Sequence, residues 1–232
     1  MKFLILIFFS INADDILNKL REDRKIESSK FYAKIEIVKG KRILFKEFEG
    51  FSKGSDFYIV FKNPEDKDVK YLKIKNDLYI YIPDIDDVVR ISGDMLKESF
   101  MGTDLSYEDL MQEDPLKYYK TLNFKDTIIN GDSLYFMEIV DTTKRAPYYS
   151  INLFIEKKNI LVKKEELFTK NGRKIKEIEI LDYKKIKEKF YPVSYIMRDL
   201  RLKNSYTKVI LEKIEIDIKL KDEIFKLEHL RK

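Results

Sequence analysis

The sequence predicts a mainly β domain with few helices, of the α+β class, in which about a dozen antiparallel strands form a curved sheet. Three observations lead there. Apolar side chains recur with period two through most of the 232 residues. Compact turn signals, such as Asn76-Asp77, Asn130-Gly131-Asp132 and Asn171-Gly172, separate the apolar runs at short intervals. Only three stretches, near the start, the middle and the end, carry helical signals.

Residues 1–13, MKFLILIFFSINA, have one basic residue, Lys2, then an apolar run and a small residue, Ala13, before Asp14 and Asp15. This is the pattern of a cleaved signal peptide, leaving 14–232 as one domain outside the cytoplasm. The run is too short for a spanning helix, which needs about 20 apolar residues. An uncleaved anchor and a buried N-terminal strand are the other readings. Residues 14–25 form a short amphipathic helix, with Ile16, Leu17 and Leu20 on one face and Arg21, Arg24 and Lys25 at its end.

From Ser29 the period becomes two. Phe31, Ala33, Ile35 and Ile37 alternate with Tyr32, Lys34 and Glu36. Residues 42–49 return after Gly40. In residues 56–62, Phe57, Ile59 and Phe61 make one apolar face, and Tyr58 and Val60 a second, so this strand is covered on both sides or lines an apolar space. Strands at 69–75 and 78–82 flank Asn76-Asp77, and 86–92 adds another. After the middle stretch, strands fall at 118–123, 134–140, 149–156, 161–168, 174–181, 190–197 and 206–220. In the last, Ile210, Ile214, Ile216 and Ile218 face one way, and Lys213, Glu215 and Asp217 the other. Asp222 opens a short helix carrying Ile224, Phe225, Leu227 and Leu230.

The long interruption is FMGTDLSYEDL, residues 100–110. Gly102 supplies a turn, Thr103 and Asp104 cap a short helix, and Glu108 and Asp109 sit where a helix N-terminus favours carboxylates. Between two runs of strands it is a plug in a core or a lid over a cavity.

Composition removes several function classes. There is no cysteine and a single histidine, His229, which reads as an exposed tail residue; thiolate sites, histidine triads and multi-histidine metal sites are excluded. The net charge is +5, with charged residues at 38%, but Lys and Glu alternate along the same strands. Basic residues do not cluster with aromatic ones, so no nucleic-acid partner is expected. Asp104 and Asp109 have no nucleophile or metal set beside them, and capping explains them better than acid–base chemistry. Arg90 and Arg145 read as surface ion pairs or, alternatively, as headgroup ligands. No catalytic residue, metal or cofactor is called for.

The exported helix-then-strands order, the central MGTDLSYEDL at residues 101–110 and the terminal IFKLEHL at 224–230 together resemble the outer-membrane lipoprotein-sorting proteins of the LolA/LolB-like superfamily. The resemblance covers the mature chain. It implies an unclosed antiparallel β-barrel capped by short helices, with an apolar cavity for acyl chains of lipoproteins or lipids. It further implies a periplasmic carrier, not an enzyme, working between an inner-membrane exporter and an outer-membrane acceptor. The absence of a cysteine after the leader favours a soluble carrier over a lipidated acceptor. The alternative is an accessory protein that holds no lipid and docks onto a membrane transport complex of the resistance-nodulation-division type. On strand faces, the expected cavity residues are Phe31, Ile35, Phe57, Ile59, Phe61, Leu72, Ile74 and Leu78, and the expected lid residues Met101, Leu105 and Tyr107; ordinary close packing is the competing account of both sets.

Overall fold

The computed structural model describes residues 12–111 and 116–232. The proposed leader therefore lies almost wholly outside the described residues. Asn12 is the first of these, and its side chain accepts from the Asp14 amide at 3.1 Å, capping helix α1 (Ala13–Arg24). Ile16, Leu17 and Leu20 are buried, as the helical spacing requires. Arg21 ties the helix to the chain ahead of the second strand run, donating to the carbonyls of Leu116 and Tyr119 at 3.3 and 2.6 Å.

Among the described residues the sheet has thirteen strands: β1 (Ser28–Lys39), β2 (Arg42–Lys53), β3 (Asp56–Phe61), β4 (Lys70–Ile74), β5 (Asp77–Ile82), β6 (Asp87–Ile91), β7 (Tyr119–Ile129), β8 (Asp132–Asp141), β9 (Ser150–Glu156), β10 (Leu161–Phe168), β11 (Lys174–Ile186), β12 (Lys189–Asp199) and β13 (Ser205–Ile216). All pair antiparallel in the order β6-β5-β4-β3-β2-β1-β13-β12-β11-β10-β9-β8-β7. The two runs of strands are joined at the centre by β1 and β13, and among the described residues β6 and β7 are the outer edges. The sheet is curled and unclosed. The stretch between β6 and β7 runs from one free edge to the other.

Bulges shape the sheet and reset which side chains face inward. In β10 the register shifts between Val162 and Lys164, and in β11 between Ile180 and Tyr183. The last strand shows the effect most clearly. Lys213 has φ 48, and the register slips between the pairs Lys30–Glu215 and Tyr32–Glu212. Strict alternation would place Ile210 and Ile216 together. Instead Thr207 and Val209 are buried before the bulge and Ile216 after it, and Ile210 is exposed.

The buried apolar side chains of the described residues gather in three groups. One lies between α1 and strands β7–β11, another on the inner face of β1–β5, and the third on the back of β3 and β4. The last is covered by the C-terminus, where the predicted helix is two short 3-10 turns that seat Phe225 and Leu230 against Tyr58, Val60 and Leu72. Strand β3 is thus covered on both faces. His229 is not a free tail residue: its ring meets Tyr58 edge-on at 5.0 Å, and burial lowers its pKa below 6.5. No helix among the described residues is long and apolar enough to cross a membrane.

Candidate functional site

Within the curl, the β1–β5 half is filled. Phe100 is fully buried and packs on Phe61, Tyr71 and Tyr107 at centroid distances of 5.0–6.0 Å. Tyr107 and Tyr71 share a hydroxyl hydrogen bond of 3.2 Å. Gly102 and Met101 both have positive φ, which folds the stretch back on itself before helix α2 (Tyr107–Leu110). The cap of α2 is Ser106, in a reciprocal capping box with Asp109, and not Thr103 or Asp104.

Asp104 does something else. It is buried, and its carboxylate accepts from the Asp199 amide at 3.0 Å, Ser205 Oγ at 3.1 Å and Thr207 Oγ1 at 2.8 Å. Buried polar groups persist where they are bonded in this way. These bonds anchor the stretch to β12 and β13. It sits as a plug at the end of the curl where the β10–β11 and β12–β13 turns lie.

The β9–β12 half is not filled. A cavity of about 430 Å3 lies between Leu20 of α1, Leu105 of the plug and the inner faces of β9–β12. This falls within the roughly 300–1,000 Å3 of small-molecule sites. Ile151, Val162, Leu167, Ile178, Ile180 and Met197 supply an aliphatic wall, and Tyr183, Tyr191 and Tyr195 an aromatic one. The bulges explain the membership. Ile178 and Ile180 face inward at spacing two, and the shift at 180–183 brings Tyr183 in where Asp182 would otherwise point.

Polar groups on this wall are mostly neutralised by one another. Arg24 pairs with Glu165, and Lys176 pairs with Asp109, which also accepts from the Tyr148 hydroxyl. Tyr183 donates to the Val162 carbonyl at 2.7 Å and Tyr119 to the Tyr148 carbonyl at 2.8 Å. Burial raises the pKa of all three tyrosines, so they stay neutral. Tyr195 is different. Its hydroxyl has no hydrogen-bond partner among the described residues, and burial alone pushes its pKa up to about 12. It is half-buried and lines the cavity.

The cavity has two unlike ends. Lys176, Asp109 and Tyr148 floor it beside the plug, and Lys176 and Tyr148 are buried. Arg24, Ile26, Ile160 and Phe190 rim the other end, beside the β9–β10 and β11–β12 turns, and all four are only half-buried.

None of the eight residues expected from strand faces to line a cavity is on this wall. Phe31, Ile35, Phe57, Ile59, Phe61 and Leu78 belong to the filled half, under the plug. Leu72 and Ile74 point to the back of the sheet, towards the C-terminal turns. Of the three lid candidates, Met101 and Tyr107 pack on the filled half, and Leu105 also reaches the cavity. Arg90 pairs with Asp77 at 2.5 Å on the outer strands β5 and β6, and Arg145 is exposed. The missed lining residues carried a signal. Strands β9–β12 have apolar inner faces that a 12-residue α1 cannot cover.

A family model described as uncharacterized-protein-like matches residues 53–232. No curated protein matches the chain. Among solved structures, a DUF1329 family protein from Desulfovibrio piger is 25% identical, with a TM-score of 0.83 over 93% of this chain and 96% of that one. A putative outer membrane lipoprotein-sorting protein domain from Vibrio parahaemolyticus is 19% identical, with a TM-score of 0.79 over 95% of this chain and 100% of the other. A LolA superfamily protein from Nitrosomonas europaea is 17% identical, with a TM-score of 0.76 over the same shares. The fold resemblance read from the sequence is borne out. The chain belongs to the uncharacterized-protein-like family that the model describes, and its fold is that of the LolA-type lipoprotein-sorting proteins.

Proposed function

We propose that this protein is a non-enzymatic, exported carrier that takes acyl chains of a lipid or lipoprotein into the β9–β12 cavity and delivers them between membranes. The observation that carries this reading is the cavity itself: about 430 Å3 of mostly apolar wall, floored at one end and rimmed by half-buried side chains at the other. The fold shared with a lipoprotein-sorting domain supports it. Periplasmic residence, an inner-membrane exporter and an outer-membrane acceptor belong to the same proposal.

The energetics suit a carrier. At about 0.8 kcal/mol per buried methylene, ten methylenes contribute about 8 kcal/mol, a roughly micromolar complex before ordering costs. Cargo held at that strength can be released.

The test is to purify the mature protein from a periplasmic fraction, extract it with organic solvent and analyse the extract by mass spectrometry. Displacement of an environment-sensitive apolar dye is measured in parallel. Lipid in the extract and saturable dye binding are expected. A protein that carries no lipid and binds no dye overturns the carrier reading and leaves the alternative, an accessory protein docking onto a membrane transport complex.

A further inference from the structure

Strand β2 runs past its neighbour. Its pairing with β3 covers Phe48 to Lys53 and ends with the bond from the Lys62 amide to the Glu47 carbonyl at 2.8 Å. Residues 42–45 lie beyond, paired to β1 on one side and, among the described residues, to no strand on the other. Here Ile43, Leu44 and Phe45 are 55%, 52% and 67% exposed, three consecutive large apolar side chains.

The turn fixes which backbone groups are open. Gly40 (φ 61) and Lys41 make a two-residue hairpin turn, so the flanking pair Lys39–Arg42 is hydrogen-bonded. Alternation then bonds Leu44 to Ile37 and turns the amide and carbonyl of Ile43 and Phe45 outward, to the unpaired side. Natural edges are blunted with charge or covered; this one presents an apolar run.

Its charge is one-sided. Lys39, Lys41 and Arg42 are exposed and have no ion-pair partner among the described residues. The nearest acidic residues, Glu36 opposite Phe45 on β1 and Glu47 beyond Lys46, already accept from the Tyr206 and Tyr32 hydroxyls. We propose that this edge is a docking site for an extended segment of a partner protein that adds as a strand beside residues 42–45, with alternating apolar and acidic side chains.

Two other occupants fit less well. A second copy, paired antiparallel about Leu44, would set Arg42 opposite Lys46, whose ammonium is already paired with Asp66, and so would bring Arg42 no countercharge. A lipid bilayer would leave the outward amides and carbonyls of Ile43 and Phe45 without partners. A strand supplies both the main-chain bonds and the countercharge.

The test uses the full mature protein and a seven-residue peptide in which valine alternates with glutamate. Binding is followed by fluorescence anisotropy and by amide hydrogen exchange. Binding is expected, with exchange slowed at Ile43 and Phe45. Methylating the peptide's backbone nitrogens, or making Ile43→Pro, should weaken it about tenfold or more, since each removes an edge donor and Ile43 gives none to β1. Leu44→Asp, which keeps the backbone, tests the apolar share if the proline variant does not fold. The proposal is overturned by no binding up to about 1 mM peptide. It is also overturned by equal binding of the methylated peptide, by concentration-dependent dimerisation blocked by Ile43→Pro, or by sedimentation with phosphatidylglycerol vesicles in place of peptide binding.

Discussion

The backbone amide of Asp104 donates to Thr207 Oγ1 at 2.8 Å, and the same hydroxyl donates back to the Asp104 carboxylate at 2.8 Å. This reciprocal pair pins the middle of the chain to β13, 103 residues away in sequence. Asp104→Ala would leave the Asp199 amide and two hydroxyls without their acceptor. A loss of about 3 kcal/mol is expected from urea unfolding, with Asp104→Asn losing less because it keeps an acceptor oxygen.

The cavity is open space, so a larger side chain can enter without displacing packed atoms. Ile178→Trp is expected to change stability by less than about 1.5 kcal/mol while weakening dye binding at least about tenfold. Phe57→Glu, in the filled half, is expected to lower stability instead. Thermal melts and dye titrations of the two variants separate these outcomes.

Tyr195 lines the cavity, and its hydroxyl has no hydrogen-bond partner among the described residues. Tyr195→Phe is expected to leave stability within about 0.5 kcal/mol, because no hydrogen bond is lost. It should weaken an ester-bearing lipid several-fold and leave a plain hydrocarbon probe unaffected. Competition titrations with the two probes provide the measurement.

His229 lies against Tyr58, near Lys70 and Lys232, and burial followed by those two cations lowers its pKa. The unfolded chain therefore takes up a proton from about pH 6.5 downward, before the folded one does. Its contribution to stability is full above that value and is lost as pH falls through the lowered folded pKa. The melting temperature should fall across that window, and His229→Gln should remove this part of the fall.

Much of the fold is legible in the sequence because it is local. The period-two runs, the Asn130-Gly131 and Asn171-Gly172 turns and the amphipathic residues after Ala13 give strands, hairpins and α1 almost where they stand. The two apolar faces of residues 56–62 announce a strand covered on both sides or lining an apolar space, and it is covered on both. The covering groups themselves are not legible, since Phe100 and Phe225 arrive from distant segments.

By itself the sequence determined a curled antiparallel sheet with too little helix to fill it, because side-chain period and turn chemistry act over a few residues. Only the tertiary structure decided which half stays empty. That choice rests on the Asp104–Thr207 anchorage, which seats the plug under β1–β5, and on bulges at 162–164 and 180–183, which turn Tyr183 inward. Each is a contact or register between separate strands, and alternation along one strand does not contain it.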